Sequence, residues 1–114
     1  MYDDQNIFAR ILRKELPCKK IYEDDEVLAF HDAFPMAPIH VLVIPKGKFT
    51  SFADFVASSA DVGSFFSKVA DVARILEVEK TGYRVVTNHG SGAGQTVKHF
   101  HVHILAGKEL GSFA

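Results

Sequence analysis

Gly94-Gln95-Thr96-Val97-Lys98-His99-Phe100-His101-Val102-His103-Ile104-Leu105 is the stretch on which the reading of this chain turns. Three of the six histidines fall within it and alternate with apolar side chains. In a β-strand successive side chains point to opposite faces, so His99, His101 and His103 form one row at steps of roughly 7 Å, while Phe100, Val102 and Ile104 face the other way. A helix would scatter both sets. The β-branched and aromatic content supports a strand over residues 100–105, and its apolar face requires a layer packed behind it. Three imidazoles then stand available to one ligand. Near neutral pH an imidazole accepts a proton, binds a metal or attacks an electrophile.

The segment before this row, residues 88–95, carries Gly90, Gly92 and Gly94 around Ser91 and Ala93. Such glycines permit tight turns and let backbone N–H groups approach an anion, with Gln95 and Thr96 adding donors. The spacing matches neither the dinucleotide-binding fingerprint nor the phosphate loop ending in Gly-Lys-Ser/Thr. Joined to the histidine row, the loop reads as part of an anion-handling site.

Working outward, 114 residues with 47% apolar content suffice for one domain, 1–114, with an approximate core over 6–107. The formal net charge of −1 and the dispersed lysines give no nucleic-acid footprint. The first residues lack the basic and apolar regions of a secretory signal, no apolar run is long enough to cross a bilayer, and a cytoplasmic location is the default expectation. Cys18 is the single cysteine, so there is no intramolecular disulfide framework, and it reads as a small turn or core residue.

Asn6 is placed to cap a first helix over residues 7–16, with Ile7, Phe8, Ile11 and Leu12 at helical spacing and Pro17 beyond its end. Strands are expected over 21–23 and 27–31, joined by the acidic Glu23-Asp24-Asp25-Glu26 turn, which reads as solvated. Phe30 offers an aromatic surface, and Asp32 either caps the following turn or accepts hydrogen bonds from vicinal hydroxyls. His40 opens the strand signal Val41-Leu42-Val43-Ile44 and can approach the histidine row if the two strands are neighbours. Lys46 and Lys48 read as solvated surface. Residues 59–78 predict a longer amphipathic helix, capped by Asp61 or a nearby serine, and 83–87 a further strand. His89 reads as a loop residue. Several strands with one short and one longer helix give an α+β domain.

Ile7-Phe8, Phe30-His31-Asp32, Pro38-Ile39-His40 with the strand and Pro45-Lys46 after it, Asn88, and the run from Gly94 together resemble the histidine-triad nucleotide-binding superfamily. The resemblance extends over residues 6–107 and is greatest to its small nucleoside phosphoramidate hydrolases. It implies a five-stranded antiparallel sheet with two helices, paired by a two-fold axis into a homodimer. It also implies a purine nucleoside phosphoramidase, with Ile7, Phe8, Ile11 and Phe30 around the base and Asp32 on the ribose. Ala33 stands where relatives carry a bulkier apolar residue.

The same resemblance makes His101 the nucleophile that attacks the α-phosphorus, releases the amine and forms a nucleotidyl-histidine that water then cleaves. His99 and the strand backbone hold its tautomer, and His40 supports the network. His103, Asn88, Gly94, Gln95, Thr96 and Val97 lie on the phosphate side. No cofactor or catalytic metal is required. Dinucleoside polyphosphate cleavage is the competing enzymatic reading. A zinc-binding module built on the histidines, or a noncatalytic nucleotide-binding adaptor, is the competing reading of a different kind.

Overall fold

The computed structural model describes residues 1–113. Its centre is a five-stranded antiparallel sheet in the order β1-β2-β3-β5-β4, formed by Lys20–Glu23, Val27–His31, Ile39–Pro45, Arg84–Val86 and Val102–Ala106 numbered β1 to β5 along the chain. The central pairing runs from Ile39 opposite Ala106 to Val43 opposite Val102. Period-two alternation divides the sheet cleanly. Val27, Ala29, Val41, Val43, Val102 and Ile104 face one core, and Leu28, Phe30, Leu42 and Ile44 face a second.

The first core is covered by α2 (Phe52–Ala57) and α3 (Val62–Ile75), through Phe55, Phe65, Val69 and Val72. Phe55 stacks on Phe100 at 4.6 Å between ring centroids and meets Phe65 edge to face. Asp61 caps α3 by accepting the Ser64 N–H at 2.9 Å. The expected helix over 59–78 is shorter at both ends, because Asp61 fixes its start and Glu77 adopts φ 59 beyond its last turn. The helix α2 joins the expected short and long helices. Its signal was Ser51-Phe52-Ala53-Asp54, in which the Ser51 hydroxyl accepts the Asp54 N–H and the Asp54 carboxylate accepts the Thr50 N–H.

The second face is covered by α1 (Ile7–Leu12), which Asn6 caps by accepting the Ala9 N–H at 2.9 Å. This helix stops at Leu12 instead of residue 16. Lys14 takes φ 63 and its N–H returns to the Ile11 carbonyl, so the chain has left the helix before Pro17 acts. Of its apolar residues Phe8 is buried and Ile11 and Leu12 pack on the same cluster, whereas Ile7 is largely exposed.

The regular ladder of β5 begins at Val102, two residues later than the alternation suggests. Pro45 has no N–H to offer the facing chain, so pairing with β3 ends at Val43, and the Phe100 N–H bonds the Phe49 carbonyl instead. Facing nevertheless persists through the irregular part, since Phe100 belongs to the first core with Val102 and Ile104. The acidic turn is more than solvated surface. One Asp24 carboxylate oxygen accepts the Glu26 and Val27 N–H groups, and the other accepts the Tyr22 hydroxyl and pairs with Lys68 of α3 at 3.0 Å. These partners hold the Asp24 carboxyl well below the usual range against the opposing effect of its partial burial. Cys18 is exposed, which excludes the core reading. No described helix is long and apolar enough to cross a membrane.

Candidate active site

The second face carries the histidines, and backbone partners fix where the ring protons of neutral His40, His99 and His101 sit. His101 Nδ1 lies 2.7 Å from the carbonyl oxygen of His99. A carbonyl only accepts, so Nδ1 carries the hydrogen and, in the neutral ring, Nε2 carries a lone pair. Burial pushes the His101 imidazole below its ordinary pKa, opposed by the His99 carbonyl and the charge of Asp32, so the ring is neutral at pH 7. A neutral imidazole with its far nitrogen unprotonated is the state in which histidine attacks an electrophile.

His103, two residues on, lies opposite Leu42 in the ladder with its ring centroid 5.1 Å from that of His101. His40, on β3, accepts the Met36 N–H at Nδ1 (3.0 Å), so its Nε2 carries the hydrogen in the neutral ring. That Nε2–H faces His103 Nδ1 at 2.9 Å and Asp32 Oδ2 at 3.4 Å. His103 accepts at Nδ1 and therefore presents Nε2–H. Burial brings His103 down to about 4, with the neighbouring His101 and His40 acting in the same direction. His40 is lowered by burial against the pull of Asp32. The result is a lone pair on His101 beside an N–H on His103.

His99 differs from its two partners. It is fully buried, its Nε2–H donates to the Pro45 carbonyl at 2.8 Å, and its Nδ1 meets the Tyr2 hydroxyl. Burial lowers it to about 4. Both ring nitrogens are occupied within the protein, so the expectation of three imidazoles open to one ligand reduces to two, with His99 contributing its carbonyl.

The remaining sequence candidates divide by location. Phe8, Phe30, Ile11 and Val97 share the second core, and Phe8 sets its edge against the His101 ring at 4.9 Å. Asp32 orients its carboxylate by accepting the Phe34 N–H at 2.8 Å. The glycine loop makes a single 3-10 turn at Ser91–Ala93, with Gly90 and Gly94 at φ 82 and 85. Gly94 and Thr96 are exposed on it. Asn88 donates to the Ala93 carbonyl at 2.7 Å, and the Gln95 amide is committed to Gly90 N–H, Thr50 O and Val97 O. Asn88 and Gln95 thus shape the loop from within. His89, a loop residue, accepts the Ala53 N–H in the first turn of α2 at 3.4 Å.

Sequence reasoning missed Tyr2, the Pro45 carbonyl, the Met36 N–H and Thr87, whose hydroxyl donates to the His101 carbonyl at 2.8 Å. Three of these groups are backbone or backbone-directed, and only the proline that ends β3 left a trace in the sequence. Gly107 closes β5 with φ 96, and a Cβ there would stand 2.9 Å from Pro38 Cβ and 3.3 Å from the Ile39 nitrogen. Two clefts, of about 430 Å³ beside Ile11 and Leu28 and about 230 Å³ over Phe49 and Phe65, are not lined by the histidines.

Comparison with known proteins gives the family and the fold. The family described as HIT domain matches residues 13–110. The chain belongs to the HIT domain family. A HIT-like protein of Rickettsia prowazekii, itself uncharacterised, is 48% identical over 112 residues, which cover 96% of this chain and 93% of that one. A 14 kDa zinc-binding protein of Zea mays is 41% identical over 95% of this chain and 86% of its own length. A histidine triad protein from Clostridium difficile superposes with a TM-score of 0.90 at 43% identity, covering both chains fully. A HIT family hydrolase from Legionella pneumophila gives 0.85 at 33% identity, over 92% of this chain and 95% of the other. The HIT fold with hydrolase-like relatives is thus the setting in which His101 and His103 stand.

Proposed function

We propose that this HIT protein is a purine nucleoside phosphoramidase, which hydrolyses the P–N bond of nucleoside 5′-phosphoramidates. The observation that carries the reading is His101, held neutral with Nδ1–H on the His99 carbonyl and its Nε2 lone pair free. Nε2 attacks the α-phosphorus, the P–N bond breaks, and the amine leaves with a proton supplied from the His103 side. Water then attacks the nucleotidyl-His101 and gives a proton back to the His103 side as the bond between phosphorus and His101 Nε2 breaks, which returns the neutral imidazole and releases the nucleoside monophosphate. His40 and Asp32 support His103 as the donor, and the Nε2–H of His103 is aimed where charge develops on phosphorus oxygens or the departing nitrogen. Phe8, Phe30, Ile11 and Val97 supply the apolar wall for a base, Ile7 borders it, and Asp32 accepts from the ribose hydroxyls. Gly94, Thr96 and the loop shaped by Gln95 and Asn88 take the phosphate.

Homodimerisation is part of the same proposal. β4 is an edge strand with Val85 exposed on it, and Ile75 at the end of α3 is also exposed, so a second copy has an unpaired edge and apolar contacts to cover. Light scattering should give near twice the 12.6 kDa chain mass, and a stable monomer at working concentrations counts against it. The free thiol of exposed Cys18 suits a reducing cytoplasm.

Zinc is the one competing reading with a specific observation behind it. Ligand atoms of Asp32, His40 and His103 lie within 4.8 Å of one another, and the maize relative bears a zinc-binding name. Turnover of adenosine 5′-phosphoramidate and of a dinucleoside polyphosphate, side by side after chelation, decides among the readings. Phosphoramidate should be preferred. Preferential polyphosphate cleavage would overturn the substrate class, and strict zinc dependence would overturn the mechanism.

A further inference from the structure

A residue at the far end of the sequence from the histidine row is tied directly into it. Tyr2 lies ahead of α1 and 97 residues from His99, yet its phenol reaches His99 Nδ1 and the two rings meet edge to face at 5.7 Å. The proton on this bond can be assigned. His99 Nε2 sits on the Pro45 carbonyl, which only accepts, so Nε2 holds the ring hydrogen. The buried neutral ring then offers a lone pair at Nδ1, and the phenol is the donor.

Hydrogen bonds at both ring nitrogens, with the bond to Cβ as a third point, fix the plane of an imidazole. Pro45 supplies one and Tyr2 the other, and with both in place His99 cannot rotate about its side-chain bonds. The backbone carbonyl of this same residue is the acceptor for His101 Nδ1–H at 2.7 Å. The ring, held at both nitrogens, tethers the backbone of the residue that carries this carbonyl, and a backbone shift at His99 would move the group that sets which nitrogen of His101 is free and where it points. Without the phenol, Nδ1 would be a buried acceptor with no partner, and its desolvation would favour ring rotation or entry of water.

The segment bearing Tyr2 is itself anchored. The Asp4 carboxylate pairs with Lys48 at 2.8 Å, the Asp4 carbonyl accepts from Arg13 at 2.7 Å, and the Asn6 N–H returns to the Asp3 carbonyl at 3.1 Å. Lys48 lies three residues beyond Pro45, so the loop that follows the end of β3, where one fixed point of His99 lies, is paired with the segment that carries the other.

We propose that Tyr2 is a positioning residue for the reaction, donating to His99 Nδ1 so that the His99 carbonyl holds the His101 nucleophile in its reactive tautomer and direction. The proposal rests on His101 being the nucleophile. It predicts a loss in the chemical step with little change in nucleotide binding, since Phe8, Phe30 and Asp32 are untouched.

The test compares the intact protein with Tyr2→Phe, which keeps the ring and removes the donor. Turnover should fall about tenfold in kcat, as misorientation of a reacting group does, with KM changed less than about twofold. The His101 Nδ1–H proton resonance should broaden and exchange faster with water, a change that a loss of stability alone does not give when spectra are taken well below the melting temperature. Both changes together support the proposal, and the absence of either overturns it. If the intact protein turns over no phosphoramidate, the function proposed above fails, while the resonance alone decides for Tyr2, since an unchanged His101 signal in Tyr2→Phe overturns its role. Should that variant not fold, the unmodified protein still carries the test. The nitrogen shift of His99 Nδ1 should be that of a hydrogen-bonded acceptor, and the shift of a free lone pair overturns the proposal.

Discussion

The two faces of the sheet are built from the same alternating strands and obey different rules. On the face under α2 and α3, Phe55, Phe65 and Phe100 interlock with valines and isoleucine, and what is specified is volume. On the face under α1, His40, His99, His101 and His103 are specified by donor and acceptor direction, each neutral ring holding its proton on a determined nitrogen. The comparison teaches that the first face can lose a methylene and remain the same surface. A histidine on the second that exchanges its proton between nitrogens becomes a different reagent.

The largest effect should come from His101→Ala. Turnover should drop on the order of 10⁴-fold, while a nonhydrolysable nucleotide still binds, because the apolar wall and Asp32 remain. Quenching during turnover of a phosphate-labelled substrate should place the acid-labile adduct on His101 in the intact protein and nowhere in the variant. An adduct on another residue would break the assignment of roles within the histidine face.

Phe55→Ala probes the opposite face. Phe55 is 2% exposed and packed against Phe49, Phe65 and Phe100, so truncation should cost about 3–5 kcal/mol of stability in denaturant unfolding. Turnover per folded molecule should stay within about twofold at low temperature, well inside the loss set by the chemistry of His101. A large loss of kcat with full folding would show that the two faces are not separable.

Acid sharpens the contrast by acting on one face only. His99 and His103 are lowered from an ordinary value of 6.5 to about 4, chiefly by burial. Between those values the unfolded chain binds protons that the folded chain refuses, so stability rises with pH there and is lost as pH falls through it. From pH 7 to pH 5, His99 alone should account for roughly 2 kcal/mol of lost stability, above the range where Asp24 and Glu23 lose their stabilising charge. Urea midpoints measured across that interval should fall accordingly. A flat profile would mean that His99 is not held neutral by burial.

The sequence exposed the alternation itself, and with it the facing of Phe100, Val102 and Ile104 against the histidines. What it could not expose depended on partners far along the chain. The start of β5 at Val102 is decided by Pro45, some sixty residues away, because a ladder needs an N–H from both sides. The withdrawal of His99 from the open row follows from the Pro45 carbonyl and from Tyr2, and no local pattern encodes either. Helix α1 reads as longer than it is because apolar spacing continues to Leu12 and Leu16, whereas the left-handed turn at Lys14 is a backbone decision that lysine does not advertise. Helix α2 was legible in Ser51 and Asp54 and was overlooked for its brevity. Fold class and the histidine face were therefore local information, and the division of labour among the histidines was not.

Gly107 carries a consequence for how this site could be altered. The turn after β5 and the loop leading to His40 approach so closely at Pro38 and Ile39 that the gap holds a hydrogen and not a methyl group. One end of the histidine network is thus gauged by clearance, with a missing side chain as the shim. A side chain added at position 107 would meet Pro38 and Ile39, the residues just before His40, closer than ordinary contact, and would also strain a backbone held at φ 96. The fit at one end of the histidine network is thus sensitive to a residue that is no part of it.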